Sequence, residues 1–98
     1  MARNLAGKTI LITGASSGIG RSTAFEFART SPDSLKLIII ARRVDRLHEI
    51  STKINEEIGD GVQVCVRQLD VSNPDEISGL VEALPPEFRD IDVLVNNA

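Results

Sequence analysis

The chain has 98 residues, 42% apolar and 26% charged, with no Trp or Tyr and a net charge of −3; its isoelectric point is near 5.0 and its mean hydropathy close to zero. These figures exclude a collagen-like or disordered polypeptide and leave no basic field to attract nucleic acid or an anionic membrane. The longest wholly apolar run, Leu37 to Ala41, is far short of the roughly 20 residues a membrane-spanning helix requires.

A single domain of this size buries only about 60–65% of the surface its unfolded chain exposes, so a thin stability margin is expected. Met1 to Lys8 has no apolar h-region behind it, which argues against a secretory signal. Cys65 stands alone, so it can form neither an internal disulfide nor a cysteine metal site. It is expected to pack in a strand and suits a reducing, cytoplasmic setting.

In chain order, Lys8 to Thr13 (KTILIT) is a β-branched apolar run and predicts a strand buried on both faces. From Gly18 to Arg29, Ile19, Ala24, Phe25, Phe27 and Ala28 recur at roughly helical spacing until Ser31-Pro32-Asp33-Ser34 breaks the pattern. Leu35 to Ala41 (LKLIIIA) predicts a second buried strand, ending at two arginines. Val44, Leu47, Ile50, Ile54 and Ile58 mark one face of a second helix, with Glu49 and Lys53 paired outside it and Gly59-Asp60-Gly61 as its stop. Val62 to Leu69 alternates as a third strand, with Asp70 at its carboxyl end. Ser72-Asn73-Pro74-Asp75-Glu76 has the cap, proline and acids of a helix start; Ile77, Leu80, Val81 and Leu84 form its apolar face and Pro85-Pro86 its end. Ile91 to Val95 predicts the fourth strand, before Asn96-Asn97-Ala98.

The series βαβαβαβ with short connections predicts an α/β fold: a parallel sheet with right-handed crossovers and helices on both faces. No internal repeat, low-complexity segment or linker interrupts it. Such a sheet binds ligands beyond the carboxyl ends of its strands, near the point where strand order reverses.

The candidate functional residues fall at that edge. Gly14, Gly18 and Gly20 lie in the turn from the first strand to the first helix. There, free helix N–H groups and the helix dipole favour a pyrophosphate if the backbone can approach it. One glycine makes the turn, one removes a Cβ facing the phosphates, and one lets helix and strand pack closely. At the end of the second strand, sites that prefer NAD place an acid to accept from the adenine-ribose hydroxyls. Here Ala41 is followed by Arg42 and Arg43, whose guanidiniums can pair with a 2′-phosphate and stack on adenine, which selects NADP. Arg46 reads as a surface charge. Asp70 could accept from the adenine amino group while Val71 offers its N–H to a ring nitrogen, but an Asp before a turn is equally a common cap. Adjacent amides at Asn96 and Asn97 bring polar groups to a buried edge where they must be satisfied. His48 has no Cys, Asp or second His at ligand spacing and reads as a surface residue.

Taken together, TGASSGIG at 13–20, ARR at 41–43, LDV at 69–71 and NNA at 96–98 resemble the short-chain dehydrogenase/reductase family along the whole chain. The run from Leu35 to Ala98 is similar, more narrowly, to fungal NADP-dependent 3-hydroxy acid dehydrogenases that oxidise serine and allo-threonine. The resemblance implies a Rossmann-type doubly wound sheet. Residues 1–98 would form the N-terminal part of a single dinucleotide-binding domain, truncated after the fourth strand.

It implies further that Gly14, Ser16, Ser17, Gly18, Ile19 and Gly20 hold phosphates and ribose, that Arg42 meets the 2′-phosphate with Arg43 beside it, and that Asp70 and Val71 meet adenine. Asn97 and Ala98, after Asn96, would lie along the adjacent ribose. Ser17 departs from the many NADP-dependent members with a basic residue there, which leaves the 2′-phosphate mainly to Arg42. The family's catalytic Ser and Tyr-x-x-x-Lys pair lie further along its chain, and this sequence has no tyrosine.

The implied activity is hydride transfer between NADP(H) and an alcohol or ketone such as a 3-hydroxy acid. The whole enzyme would be homo-oligomeric, without nucleic-acid or membrane partners. Residues 1–98 alone are expected to be inactive, with the fourth strand an uncovered edge. The alternative is a dinucleotide-binding module without turnover. A methyltransferase with a similar glycine loop is disfavoured, since its ribose site also wants an acid where Ala41-Arg42 stand.

Overall fold

Alternation along the most apolar strand divides the molecule into two packed layers. The computed structural model describes residues 7–15, 18–30, 34–69 and 74–96. They form β1 (Lys8–Thr13), α1 (Gly18–Thr30), β2 (Leu35–Ala41), α2 (Val44–Glu57), β3 (Val62–Gln68), α3 (Pro74–Ala83), a 3₁₀ turn at Pro86–Phe88, and β4 (Val93–Asn96). The strands make one parallel sheet in the order β3-β2-β1-β4. This is the expected half of a Rossmann-type fold, with the order reversing between β1 and β4.

Leu37 and Ile39 of β2 join Ile10 and Ile12 of β1 on one face, against Ala24, Phe25 and Ala28 of α1 and Leu47, Ile50 and Ile54 of α2. Ile38 and Ile40 join Leu11 and Cys65 on the other face, against Leu80, Leu84 and Phe88. Helices thus cover both faces. No helix among the described residues is long and apolar enough to cross a membrane.

Most boundaries agree with the sequence reading to within a residue or two, and the departures have local causes. β4 begins at Val93 rather than Ile91. Asp92 occupies the place where the ladder would start: its N–H donates to the Thr9 carbonyl at 2.8 Å, and its carboxylate accepts the Thr9 N–H at 2.9 Å. Pro85-Pro86 does end α3, but Pro86 also opens the 3₁₀ turn, which buries Phe88 in the second cluster. Arg89 closes that corner by donating to the carbonyls of Leu84 (3.0 Å) and Glu82 (3.2 Å), a cation placed at the negative end of the α3 dipole. α2 stops as expected, with Gly59 at φ +119° and the Ile58 N–H bonded to the Ile54 carbonyl. The expected cap of α3 at residues 72 and 73 lies outside the described residues.

Ile19 is not part of the buried face of α1. It precedes Ala28 by about two and a half helical turns and so faces the opposite way, with 74% of its surface exposed.

Gly14 and Gly20 set how closely α1 approaches the sheet. Gly14 turns the chain at φ +62°. A Cβ on Gly20 would overlap the Gly14 carbonyl oxygen and lie 2.8 Å from Ala15 Cα. A Cβ on Gly18 would meet nothing within 4 Å.

Alanine ordinarily gains about 1 kcal/mol over glycine within a helix. At position 20 that gain is outweighed, because the obstacle is backbone, and Gly20→Ala should destabilise by about 1–3 kcal/mol. Gly18→Ala should leave stability unchanged or slightly raised. Urea unfolding of the two variants checks this, and equal midpoints would remove the close-packing role of Gly20.

Candidate dinucleotide-binding site

The parallel register carries the strand ends to one edge. Thr13 of β1 stands beside Ile40 of β2 and Asn96 of β4, and Ala41 of β2 stands beside Gln68 of β3. The turn after β1 and the arginines after β2 therefore meet on the same side of the sheet. Their relative position is fixed by backbone, since the Ala15 N–H donates to the Ile40 carbonyl at 3.1 Å and the Leu69 N–H to the Ala41 carbonyl at 3.1 Å. Ala15 is fully buried. The turn after β1 is thus anchored at Ala15 to the strand that ends in the arginine turn.

α1 begins at Gly18, with no acid in its first turn. The space a side chain at Gly18 would fill is open. Open space and the positive end of the helix dipole are what a pyrophosphate needs. A groove of about 710 Å³ starts at Gly18 and Ile19 and runs down α1 past Ser22, Thr23 and Phe27 to Thr30. Only its upper end belongs to the sheet edge. The exposed Ile19 offers an apolar surface at the start of α1.

Arg42 lies in a bend and Arg43 is the extended residue before α2, at φ −105° and ψ 100°. Both side chains are exposed. Ion pairs among the described residues join Arg29 to Glu26 at 3.7 Å and Lys53 to Glu49 at 4.0 Å, and neither involves the turn. These exposed pairs contribute about 0–1 kcal/mol each. Arg21 stacks over Phe25 at 5.0 Å. Arg42 and Arg43 thus remain available to an anion.

The structure brings together Gly14, Gly18, Ile19, Gly20, Arg42, Arg43 and the backbone of Asn96 from the residues selected by sequence. Ser16, Ser17, Asp70, Val71, Asn97 and Ala98 lie outside the described residues. One contact had no sequence signal: the Gln68 side-chain amide donates to the Arg42 carbonyl at 3.0 Å across 26 residues. Its partner is a main-chain oxygen, which no residue pattern reveals. Cys65 packs on the α3 face, where burial pushes its thiol above the ordinary value of 9.0 and keeps it a poor nucleophile at neutral pH. His48 is exposed on α2. No cluster of three or more His, Cys, Asp or Glu that could hold a metal occurs among the described residues.

The short chain dehydrogenase family profile matches residues 8–98. An NADP-dependent 3-hydroxy acid dehydrogenase of Schizosaccharomyces pombe is 53% identical over 94 residues, covering 96% of this chain and 35% of the relative. A serine 3-dehydrogenase of Agrobacterium fabrum is 39% identical over 90 residues, 92% of this chain and 32% of the relative. Among solved structures, L-sorbose reductase of Gluconobacter frateurii complexed with NADPH and L-sorbose superposes with a TM-score of 0.85 at 39% identity, over 100% of this chain and 35% of that one. The chain therefore spans about a third of the length of these relatives. Because the family profile matches residues 8–98, nearly the whole length, the chain belongs to the short-chain dehydrogenase family.

Proposed function

We propose that this chain is the cofactor-binding, N-terminal part of an NADP-dependent oxidoreductase that interconverts an alcohol and a ketone, with a 3-hydroxy acid such as serine or allo-threonine as substrate. The observation that carries the cofactor choice is the exposed pair Arg42 and Arg43, beside the glycine turn, where an NAD site would place an acid. The S. pombe relative, named as NADP-dependent and as acting on 3-hydroxy acids, supports both cofactor and substrate class. The share of the relatives covered, and the exposed Leu94 on edge strand β4, support placing residues 1–98 in the first part of one larger domain. The intact protein is read as a cytoplasmic homo-oligomer.

The proposed division of labour rests on the family resemblance and, for the described residues, on their place at the sheet edge. The first turn of α1 and Gly18 would hold the pyrophosphate. Arg42, with Arg43 beside it, would pair with the 2′-phosphate, and Ile19 would pack against the ribose or the ring beyond. Asp70 and Val71 would take the adenine, and Asn97 and Ala98, after Asn96, the adjacent ribose. The bound dinucleotide supplies the hydride chemistry; these residues orient it along the sheet edge. On the resemblance, the proton donor or acceptor would be the family's catalytic Tyr, a residue type these 98 residues do not contain.

Protein expressed from its full reading frame should produce NADPH with serine or allo-threonine. NADP binding without turnover of any hydroxy acid, alcohol or ketone would favour a binding module instead. Arg42→Asp should shift preference towards NAD, because it replaces a phosphate partner with an acceptor for ribose hydroxyls. Charge-assisted pairs contribute roughly 1.5–3 kcal/mol, so NADP affinity should fall on the order of ten- to a hundredfold. Titration of both cofactors into wild type and variant checks this; an unchanged ratio of Kd values removes Arg42 from the 2′-phosphate site.

A further inference from the structure

We propose that Gln68 is a positioning residue for the arginine turn, and that its side-chain amide sets how strongly the site discriminates between dinucleotides with and without a 2′-phosphate. This rests on the reading that Arg42 and Arg43 serve NADP.

The backbone ladder between β2 and β3 ends at the pair Ala41 and Gln68. One further main-chain bond follows, from the Leu69 N–H to the Ala41 carbonyl. Beyond it, the chain at Arg42 and Arg43 has left the sheet and not yet entered α2, and Arg43 makes no side-chain cap on that helix. The next carbonyl, that of Arg42, would ordinarily turn to water. Instead Gln68 Nε2 donates to it at 3.0 Å. This is the one side-chain hydrogen bond that reaches Arg42 or Arg43 among the described residues. It lengthens the ladder by one rung, made by a side chain where the backbone can no longer reach.

An arginine loses many rotamers when it grips a phosphate, and it loses less affinity to disorder if its own backbone is already held. Gln68 supplies that restraint from a different strand, so the turn is fixed relative to the sheet and not merely to its own sequence neighbours. Its side chain is exposed and outside both core clusters, so its removal does not open the core. The consequence falls on a ligand that uses the guanidiniums and spares one that does not.

The test measures Kd for NADP and NAD in protein expressed from its full reading frame. Gln68→Met keeps the length and removes the donor, and Gln68→Thr keeps strand propensity but cannot reach. Both variants should weaken NADP by about three- to tenfold, the range of one neutral hydrogen bond, and leave NAD binding and the melting temperature unchanged. In a background carrying Arg42→Ala and Arg43→Ala, Gln68→Met should have no further effect on NADP. Equal weakening of both cofactors, unaltered NADP affinity, or a full additive loss in the double-alanine background would overturn the positioning role. A wild type that does not prefer NADP would overturn the cofactor reading itself, and this inference with it.

Discussion

The contact on which the site depends is the close approach of α1 to the end of β1, which only a glycine at position 20 permits. The Gly14 carbonyl and Ala15 Cα occupy the space a side chain there would need. With no Cβ in the way, the helix starts close to the sheet edge, and the positive end of its dipole faces the place where an anion would bind. Gly14 bends the chain back at φ +62°, and Gly18 leaves the resulting space empty. Three glycines within seven residues thus do three different things, and the helix dipole is useful only because all three are met.

The same turn is tied to Arg42 and Arg43 through β2. Ala15 donates to Ile40 and Leu69 to Ala41, so the two residues before Arg42 are held from both sides. β2 is an interior strand, between β1 and β3, and Leu35 together with Leu37 to Ile40 is almost wholly buried. An arginine turn that grows from such a strand inherits its rigidity. β4, by contrast, is an edge in this sheet, with Leu94 65% exposed. The interior, buried strand is the one that leads to the candidate adenosine end of the site.

Charge enters this site locally. The chain as a whole is acidic, with a net charge of −3, so no long-range field draws an anion in. Two guanidiniums stand at one strand end, and the first turn of α1 carries no acid. Exposed charges are screened by salt. On the proposed reading, any selectivity they confer would come from pairing geometry at short range, and hence from how well the turn beneath them is held.

The element series, the parallel sheet and the glycine turn were legible in the sequence because each is a local matter. β-branched runs bury on both faces, and glycine is required where a positive φ or a close contact occurs. The exposure of Ile19, the late start of β4 and the 3₁₀ turn that buries Phe88 were decided by tertiary structure. A helix's phase is set by what it packs on, Asp92 finds its partner in Thr9 across 83 residues, and Phe88 needs the α3 face to bury against. Gln68 belongs with these. Its identity was plain in the sequence, but its role depends on a carbonyl 26 residues away, and only folding brings a strand end and a turn within hydrogen-bond reach.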